Sequence, residues 1–575
     1  MEVKVQRNYL PENFKVEDWD SIKSYFEDLK NRDFKSKDDF LQWLKDLNEL
    51  EAALQEDLGR SYIKMTCYTN NKEYRDRFNF LITEIEPKVS PVINELNKKI
   101  VESPFLKDID IQGFEVMIRG LKTQIELFRE ENVPLFSKIQ GLQSKYGEIT
   151  GALFIKHEGQ ELTLPQASNY LMSNDRKVRE EIFYKISEAR ASVEKELDDL
   201  FNEMLPIRQQ IAENAGFKNF RDYIFKAKGR FDYSAADCKT FHNAVKKEVV
   251  PLLDELAENR KERLALDQLR PWDLKVDKFG KEALKPFDSS EDLIEKSISL
   301  FNKIDPFFGS CLSTMKKIGH LDLESRKNKA PGGYNYPLDE IGVPFIFMNA
   351  TSTFRDMITL MHEGGHAIHS FLVRDYDFLS FKHPTAEVAE LASMSMELLT
   401  MDHWNIFFSS EEEFLRAKEE HLEQIIETLP WVAVIDKFQH WIYENPKHSI
   451  EERRQKWLEI FDEFHSDQID YSGLDAYKRM IWQKQLHIFE VPFYYIEYAI
   501  AQLGAIGIWL NYRENKNEGL GKYKRGLALG YTKTIPEIYS ETGINFNFTD
   551  EHISGLIKSI KSELIDCRTK ISDLD

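Results

Sequence analysis

Through most of this chain the apolar residues return every three or four positions, the period of a helix buried along one face. In the N-terminal portion the stretches WDSIKSYFEDL, DDFLQWLKDLNELEAALQEDL and FEVMIRGLKTQIELFREEN carry that period and predict helices. The two-residue period of a strand surfaces rarely. YGEITGALFI followed by ELTLPQA suggests a small hairpin near residues 146–166. The β-branched and aromatic run VPFIFMNA, Val343–Ala350, predicts a short strand with PGGYNYP as its expected neighbour. The pattern is that of a mostly α chain with a small β element. At 67.6 kDa it exceeds one compact core, so several subdomains are expected.

One apolar helix pattern, MITLMHEGGHAIHSFLV, is interrupted by His362-Glu363-Gly364-Gly365-His366. Residues four apart stack on one helix face, so both imidazoles can reach one cation while Glu363 projects about 100° round, free for proton transfer. This is the H-E-x-x-H pattern of a zinc hydrolase. Two histidines have no reason to sit inside Met357, Ile358, Leu360, Met361, Ala367, Ile368, Phe371 and Leu372 unless they are used. Each of the two glycines costs about 1 kcal/mol in a helix relative to Ala, which points to something that must approach the backbone closely.

A catalytic zinc site uses three protein ligands and keeps the fourth position for water, so a third ligand is needed. PTAEVAELASMSMELL reads as a second helix, with Pro384 suited to its first turn and acidic residues near its start. Glu387, Glu390, Met394 and Glu397 share one face of it, and the residues by themselves leave open which carboxylate binds. His369, Asp356 and Glu397 are candidates to orient a metal-binding imidazole through its second nitrogen. Further along, His487, Tyr495 and Tyr498 are spaced to come toward one helical face, where they can donate to a developing oxyanion. The alternative for Phe493, Tyr494 and Tyr495 is a packed aromatic cluster with satisfied hydroxyls.

The string MHEGGHAIHS, with Glu390-Leu391-Ala392-Ser393 and Glu397 after it, resembles the oligoendopeptidase F and thimet oligopeptidase group of zinc peptidases. RNYLP near Arg7, IAENAGFKNFRDY at Ile211–Tyr223, GGYNYPLDEIGVPFIFMNATSTFRD, HIFEVPFYYIEYAIAQLGA and LALGYTKTIPEIYSETGINF extend the likeness over nearly the whole chain. The segment at His487 lacks the glycine-rich turn of thimet-type members and is nearer the bacterial oligoendopeptidase F branch. The resemblance implies one Zn2+ per chain held by His362, His366 and Glu390 rather than Glu387, with Glu363 as general base. It also implies Tyr498 as the transition-state tyrosine and His487 as an oxyanion or substrate-orienting group, with Tyr495 beside them. The implied fold is a multi-lobed helical zincin-type metallopeptidase with a small β element beside the active-site helix and a deep substrate cleft. An N-terminal helical domain over 1–200 would precede a catalytic domain over 201–575. The implied activity is cleavage of internal bonds in short peptides, along a strand that holds substrate extended. The rivals are a zinc carboxypeptidase or dipeptidyl carboxypeptidase on the same scaffold, and a catalytically silent peptide-binding protein.

A net charge of −21 disfavours nucleic acid and anionic membrane as partners. No basic-apolar leader and no apolar span near 20 residues is present, so the cytoplasm is the expected compartment. Cys67, Cys238, Cys311 and Cys567 are scattered without a C-x-x-C pair, which fits a reducing compartment and argues against a cysteine zinc site or a disulfide framework.

Overall fold

A computed structural model describes residue 5 and residues 7–574. It is mostly helical, with five short strands among the described residues: β1 (Phe154–His157), β2 (Gln160–Thr163), β3 (Leu321–Glu324), β4 (Tyr334–Tyr336) and β5 (Phe345–Ala350). The three N-terminal helical patterns become Trp19–Asn31, Lys37–Cys67 and Phe114–Leu127. Packing divides the chain into two discontinuous units. One comprises Met1–Glu126, Leu284–Ala417 and Ala501–Phe546, the other Leu127–Ala283, Lys418–Ile500 and Asn547–Asp575. The boundary expected near residue 200 lies inside the helix Glu194–Asn214, well within the second unit.

In the first unit the N-terminal helices build a core on Phe26, Phe40, Trp43, Leu44 and Leu50, and Phe378 and Phe381 join it. These two phenylalanines lie just beyond the helix Phe354–Val373 that carries HEGGH, so the N-terminal segment braces the chain leaving that helix. A fully buried side chain of this size contributes about 1.5–3 kcal/mol, which makes the brace a strong one. The unit's sheet has the order β3-β5-β4, with β3 parallel and β4 antiparallel to β5. PGGYNYP is therefore the neighbour of VPFIFMNA, as expected, but β5 is the central strand and β4 an edge. The reason is legible afterwards: Phe345, Ile346, Phe347 and Met348 are all buried, a continuous apolar run that belongs in the middle of a sheet. Tyr334 stacks flat on Phe347 with ring centroids 4.7 Å apart, fixing the β4 register.

The second unit holds the expected hairpin, shortened. β1 and β2 pair around Glu158 and Gly159, both with positive φ, the conformation of a tight two-residue turn. Tyr146–Gly151, placed in the hairpin by its sequence, instead ends the helix Val133–Gly151. The same unit contains the helix Ala235–Glu248 and most of the 34-residue helix Glu411–Glu444.

Candidate metal centre

The helix Phe354–Val373 starts at a capping box, in which Thr353 accepts from the Asp356 amide and Asp356 Oδ2 accepts from the Thr353 amide. Asp356 is thereby committed to the helix start and does not orient an imidazole. Two turns on, the glycines explain themselves. A Cβ on Gly365 would stand 2.6 Å from the Ala392 carbonyl oxygen and 2.6 Å from Ser393 Cα, and one on Gly364 would stand 2.6 Å from the Phe301 ring. Gly365 lets the helix Ala386–Thr400 press directly against the HEGGH backbone, and Gly364 does the same for Phe301 of the helix Ser290–Ile304. The helix Ala386–Thr400 begins after Thr385, so Pro384 precedes it and does not occupy its first turn.

This close approach brings the donors together. One ligand atom each from His362, His366 and Glu390 lie within 4.8 Å of one another. Glu390 Oε2 is 3.2 Å from His362 Nε2 and 3.7 Å from His366 Nε2. Glu390 is held in place by Ser393, whose hydroxyl donates to the same Oε2 at 3.0 Å. Glu397 Oε1 takes the other ring nitrogen of His362, Nδ1, at 2.7 Å, so its Nε2 is aimed inward. His366 is oriented from the same helix by a hydrogen bond with the Ala389 backbone. The competing carboxylate, Glu387, is buried and lies outside this constellation, and its backbone carbonyl accepts from the Tyr539 hydroxyl at 3.3 Å. His369 is a core residue that hydrogen-bonds the Leu527 backbone, and burial lowers its pKa to about 3.

The electrostatics suit a cation. Burial lowers the pKa of His366 to about 4, leaving the neutral imidazole that ligation requires. Burial also lowers His362, but Glu390 and Glu397 outweigh it and hold that imidazole well above its usual range. A proton drawn in by two carboxylates marks a place where a divalent ion would be better placed. Both imidazoles keep 20% of their side chains exposed, as a centre with a substrate-accessible position needs. Glu363 is 8% exposed and outside the donor set, and burial pushes its pKa up to about 7. Asn335 on β4 donates its side-chain amide to the Glu363 carbonyl at 3.3 Å, tying the edge strand to the HEGGH helix.

In the second unit, His487, Tyr494, Tyr495 and Tyr498 gather into one half-buried cluster. His487 lies 4.8 Å from Tyr495 and 5.9 Å from Tyr498 between ring centroids, and Tyr498 is 5.3 Å from Tyr494. They do not share one helical face. His487 belongs to the short helix Leu486–Glu490, Tyr495 and Tyr498 to the start of Tyr495–Glu514, and Tyr494 immediately precedes that helix. Between them Pro492 cannot donate to a helix and Phe493 has a φ of 63°, which no bulky residue adopts without support. That support comes from residues the sequence did not flag. Gln439 accepts from the Phe493 amide at 2.8 Å, while Arg230 donates to the Phe493 carbonyl and pairs with Glu497 at 2.7 Å. Arg230 follows the quoted Ile211–Tyr223 tract by only a few residues, and its position so soon after that tract was the one available hint.

Comparison with known proteins agrees with this geometry. Residues 10–128 match the peptidase M3 N-terminal domain, and residues 169–556 match peptidase family M3. An oligoendopeptidase F homolog of Borreliella burgdorferi is 24% identical over 485 residues, covering 80% of this chain and 77% of that protein. A solved structure assigned to oligoendopeptidase F superposes with a TM-score of 0.89 at 28% identity, over 96% of this chain and 98% of its own. PZ peptidase A, solved with an inhibitor, gives 0.90 at 27% identity over 97% and 99%. The family match spans both the segment that builds the HEGGH centre and the segment that builds the tyrosine cluster. The chain therefore belongs to peptidase family M3 and is a metallo-endopeptidase acting on oligopeptides.

Proposed function

We propose that the resident metal is Zn2+, one ion held by His362, His366 and Glu390, and that Glu363 is the general base. The observation that carries this reading is the convergence of those three donor atoms within 4.8 Å with Glu363 left out of the set, one residue along the helix. Nitrogen and carboxylate donors in that number suit Zn2+ at a catalytic site. When bound, the ion polarises the scissile carbonyl and lowers the pKa of a coordinated water to about 7. Glu363, raised to about 7 by its burial, accepts a proton from the attacking water and returns it to the leaving amine nitrogen. Ser393, Glu397 and the Ala389 backbone hold the donors still, so that little reorganisation accompanies each turnover.

The edge strand β4 offers backbone groups along which an extended peptide can lie, giving affinity with little demand on side chains. Short peptides of varied sequence are then the substrate class. By resemblance to the family, Tyr498 and His487 donate to the negative charge that forms on the carbonyl oxygen, with Tyr495 supporting them. All four cysteines are buried and none is in a disulfide, and among the described residues no helix is long and apolar enough to cross a membrane. Both observations support the cytoplasm as its place of action.

The test compares wild type with Glu363→Gln on an internally quenched oligopeptide with an amidated C-terminus, with metal content measured on both. Wild type should cut internally, and the variant should lose about 10²- to 10⁴-fold in turnover while keeping its metal. Undiminished turnover in the variant would remove Glu363 from the mechanism.

A further inference from the structure

The second unit contains another group of ligand-type side chains, unrelated in sequence to HEGGH. Cys238 and His242 are four residues apart on the helix Ala235–Glu248, and Asp436 and His440 are four apart on Glu411–Glu444. Each pair therefore occupies one helix face, and the two faces meet. One ligand atom each from Cys238, Asp436 and His440 lie within 4.8 Å of one another. His242 Nε2 is 2.8 Å from Asp436 Oδ2, and His440 Nε2 is 3.2 Å from the same oxygen. None of the four is more than 3% exposed.

Hydrogen bonding within the group is incomplete. Asp436 Oδ1 and His440 Nδ1 are buried without a partner, although a buried carboxylate oxygen is costly to leave unmet. The Asp436 carboxyl is nonetheless held in its charged form: burial opposes the charge, but His440 and His242 prevail and keep its pKa well below the usual range. A thiol, a carboxylate and an imidazole around one buried point form a mixed sulfur, oxygen and nitrogen donor set, one that favours borderline ions of the zinc class over Mg2+ or Ca2+. Tetrahedral zinc bonds of about 2.0–2.3 Å set donors about 3.3–3.6 Å apart, so a contraction of at most about 1.5 Å from the 4.8 Å limit would close the site.

We propose that Cys238, Asp436 and His440 hold a second, structural divalent cation of the zinc class, with His242 orienting the Asp436 carboxylate. Binding releases the Cys238 thiol proton to solvent and leaves the thiolate on the ion. Enclosure gives this ion no substrate position, so its work is to clamp the two helices together. The clamp reaches the tyrosine cluster's support. His440 packs against Phe493 with ring centroids 5.3 Å apart, and its neighbour Gln439 accepts from the Phe493 amide. The absence of a C-x-x-C pair is no obstacle, because helix spacing of four residues on two separate helices does the same work.

The experiment measures metal equivalents after reconstitution with Zn2+, and separately the absorption spectrum after reconstitution with Co2+. Wild type should bind two equivalents, and the doubly substituted His362→Ala, His366→Ala chain should keep one. Adding Cys238→Ser to that chain should remove the remaining equivalent. The Co2+ form of the full-length wild-type chain should display a thiolate-to-cobalt charge-transfer band, because among the described residues no other thiol lies in a group of metal-ligating side chains. That spectrum needs no variant, so a Cys238→Ser chain that fails to fold leaves the decision intact. A single equivalent in wild type that vanishes with the HEGGH histidines, or a Co2+ spectrum without a thiolate band, overturns the second site and leaves the catalytic reading untouched.

Discussion

The two units each bring metal-ligating side chains together from helical pairs four residues apart, yet the two groups are built for different work. At His362, His366 and Glu390 the imidazoles keep 20% of their surface, and a carboxylate outside the donor set, Glu363, stands beside them. At Cys238, Asp436 and His440 nothing exceeds 3% exposure, and the one further imidazole named beside them, His242, is taken up by the Asp436 carboxylate at 2.8 Å. An open centre with an unused base can exchange water and substrate, whereas a closed one can only hold. What separates them is the packing around the ligands rather than ligand spacing. In the first unit two glycines let helices touch while leaving the imidazoles accessible, and in the second the aromatic rings of Phe225 and Phe493 pack against His440.

Chelation should break the comparison most visibly. Dialysis against a chelator should remove all turnover by emptying the accessible centre, and added Zn2+ should restore it, while any ion in the closed group leaves only on unfolding. Restored activity with unchanged melting would separate the two sites in one titration. Next in size, Tyr498→Phe should lower turnover about 10²- to 10³-fold with metal content unchanged, which steady-state kinetics beside elemental analysis would check. Turnover equal to wild type would place Tyr498 among the packed aromatics.

Glu397→Gln weakens the hydrogen bond that aims His362 and should cost about 10- to 100-fold in metal affinity at the open centre, read by competition with a chromophoric chelator. The smallest effect is expected at Gly365→Ala. Helix propensity favours alanine by about 0.5–1 kcal/mol, but a methyl 2.6 Å from the Ala392 carbonyl oxygen overpacks the contact at a cost of about 1–3 kcal/mol. The contact is with backbone, which cannot swing aside, so the overpacking wins and thermal denaturation should show a net loss of stability of up to about 2.5 kcal/mol. A stabilised variant would mean that the two helices are not held together as tightly as their spacing implies.

Local signals carried far where the chemistry is local. The HEGGH spacing and the apolar faces of the N-terminal helices depend on residues within one or two turns of each other, and both became the helices their periods predict, while the hairpin expected near 146–166 formed only over its later part. Orientation was harder. Asp356 and His369 lie at helix spacing from His362, but one is consumed by the helix start and the other by the core, and spacing cannot report which partner a side chain finally takes. The aromatic segment misled for the opposite reason: Pro492 and the positive φ of Phe493 break the helix that offsets of eight and eleven residues assume.

By itself the sequence determined a mostly helical peptidase and the HEGGH helix and, through its family likeness, led to the expectation of Glu390 rather than Glu387 beside the two imidazoles, where the structure places it. Only the tertiary structure decided that β5 is the central strand and β4 an edge, that Glu397 is the group bound to His362, and that Cys238 meets Asp436 and His440 across 198 residues of chain. The division follows from range. Periodicity encodes what neighbours along a helix or strand share, whereas the meeting of distant faces is set by close packing of the whole unit, which no short window of residues contains.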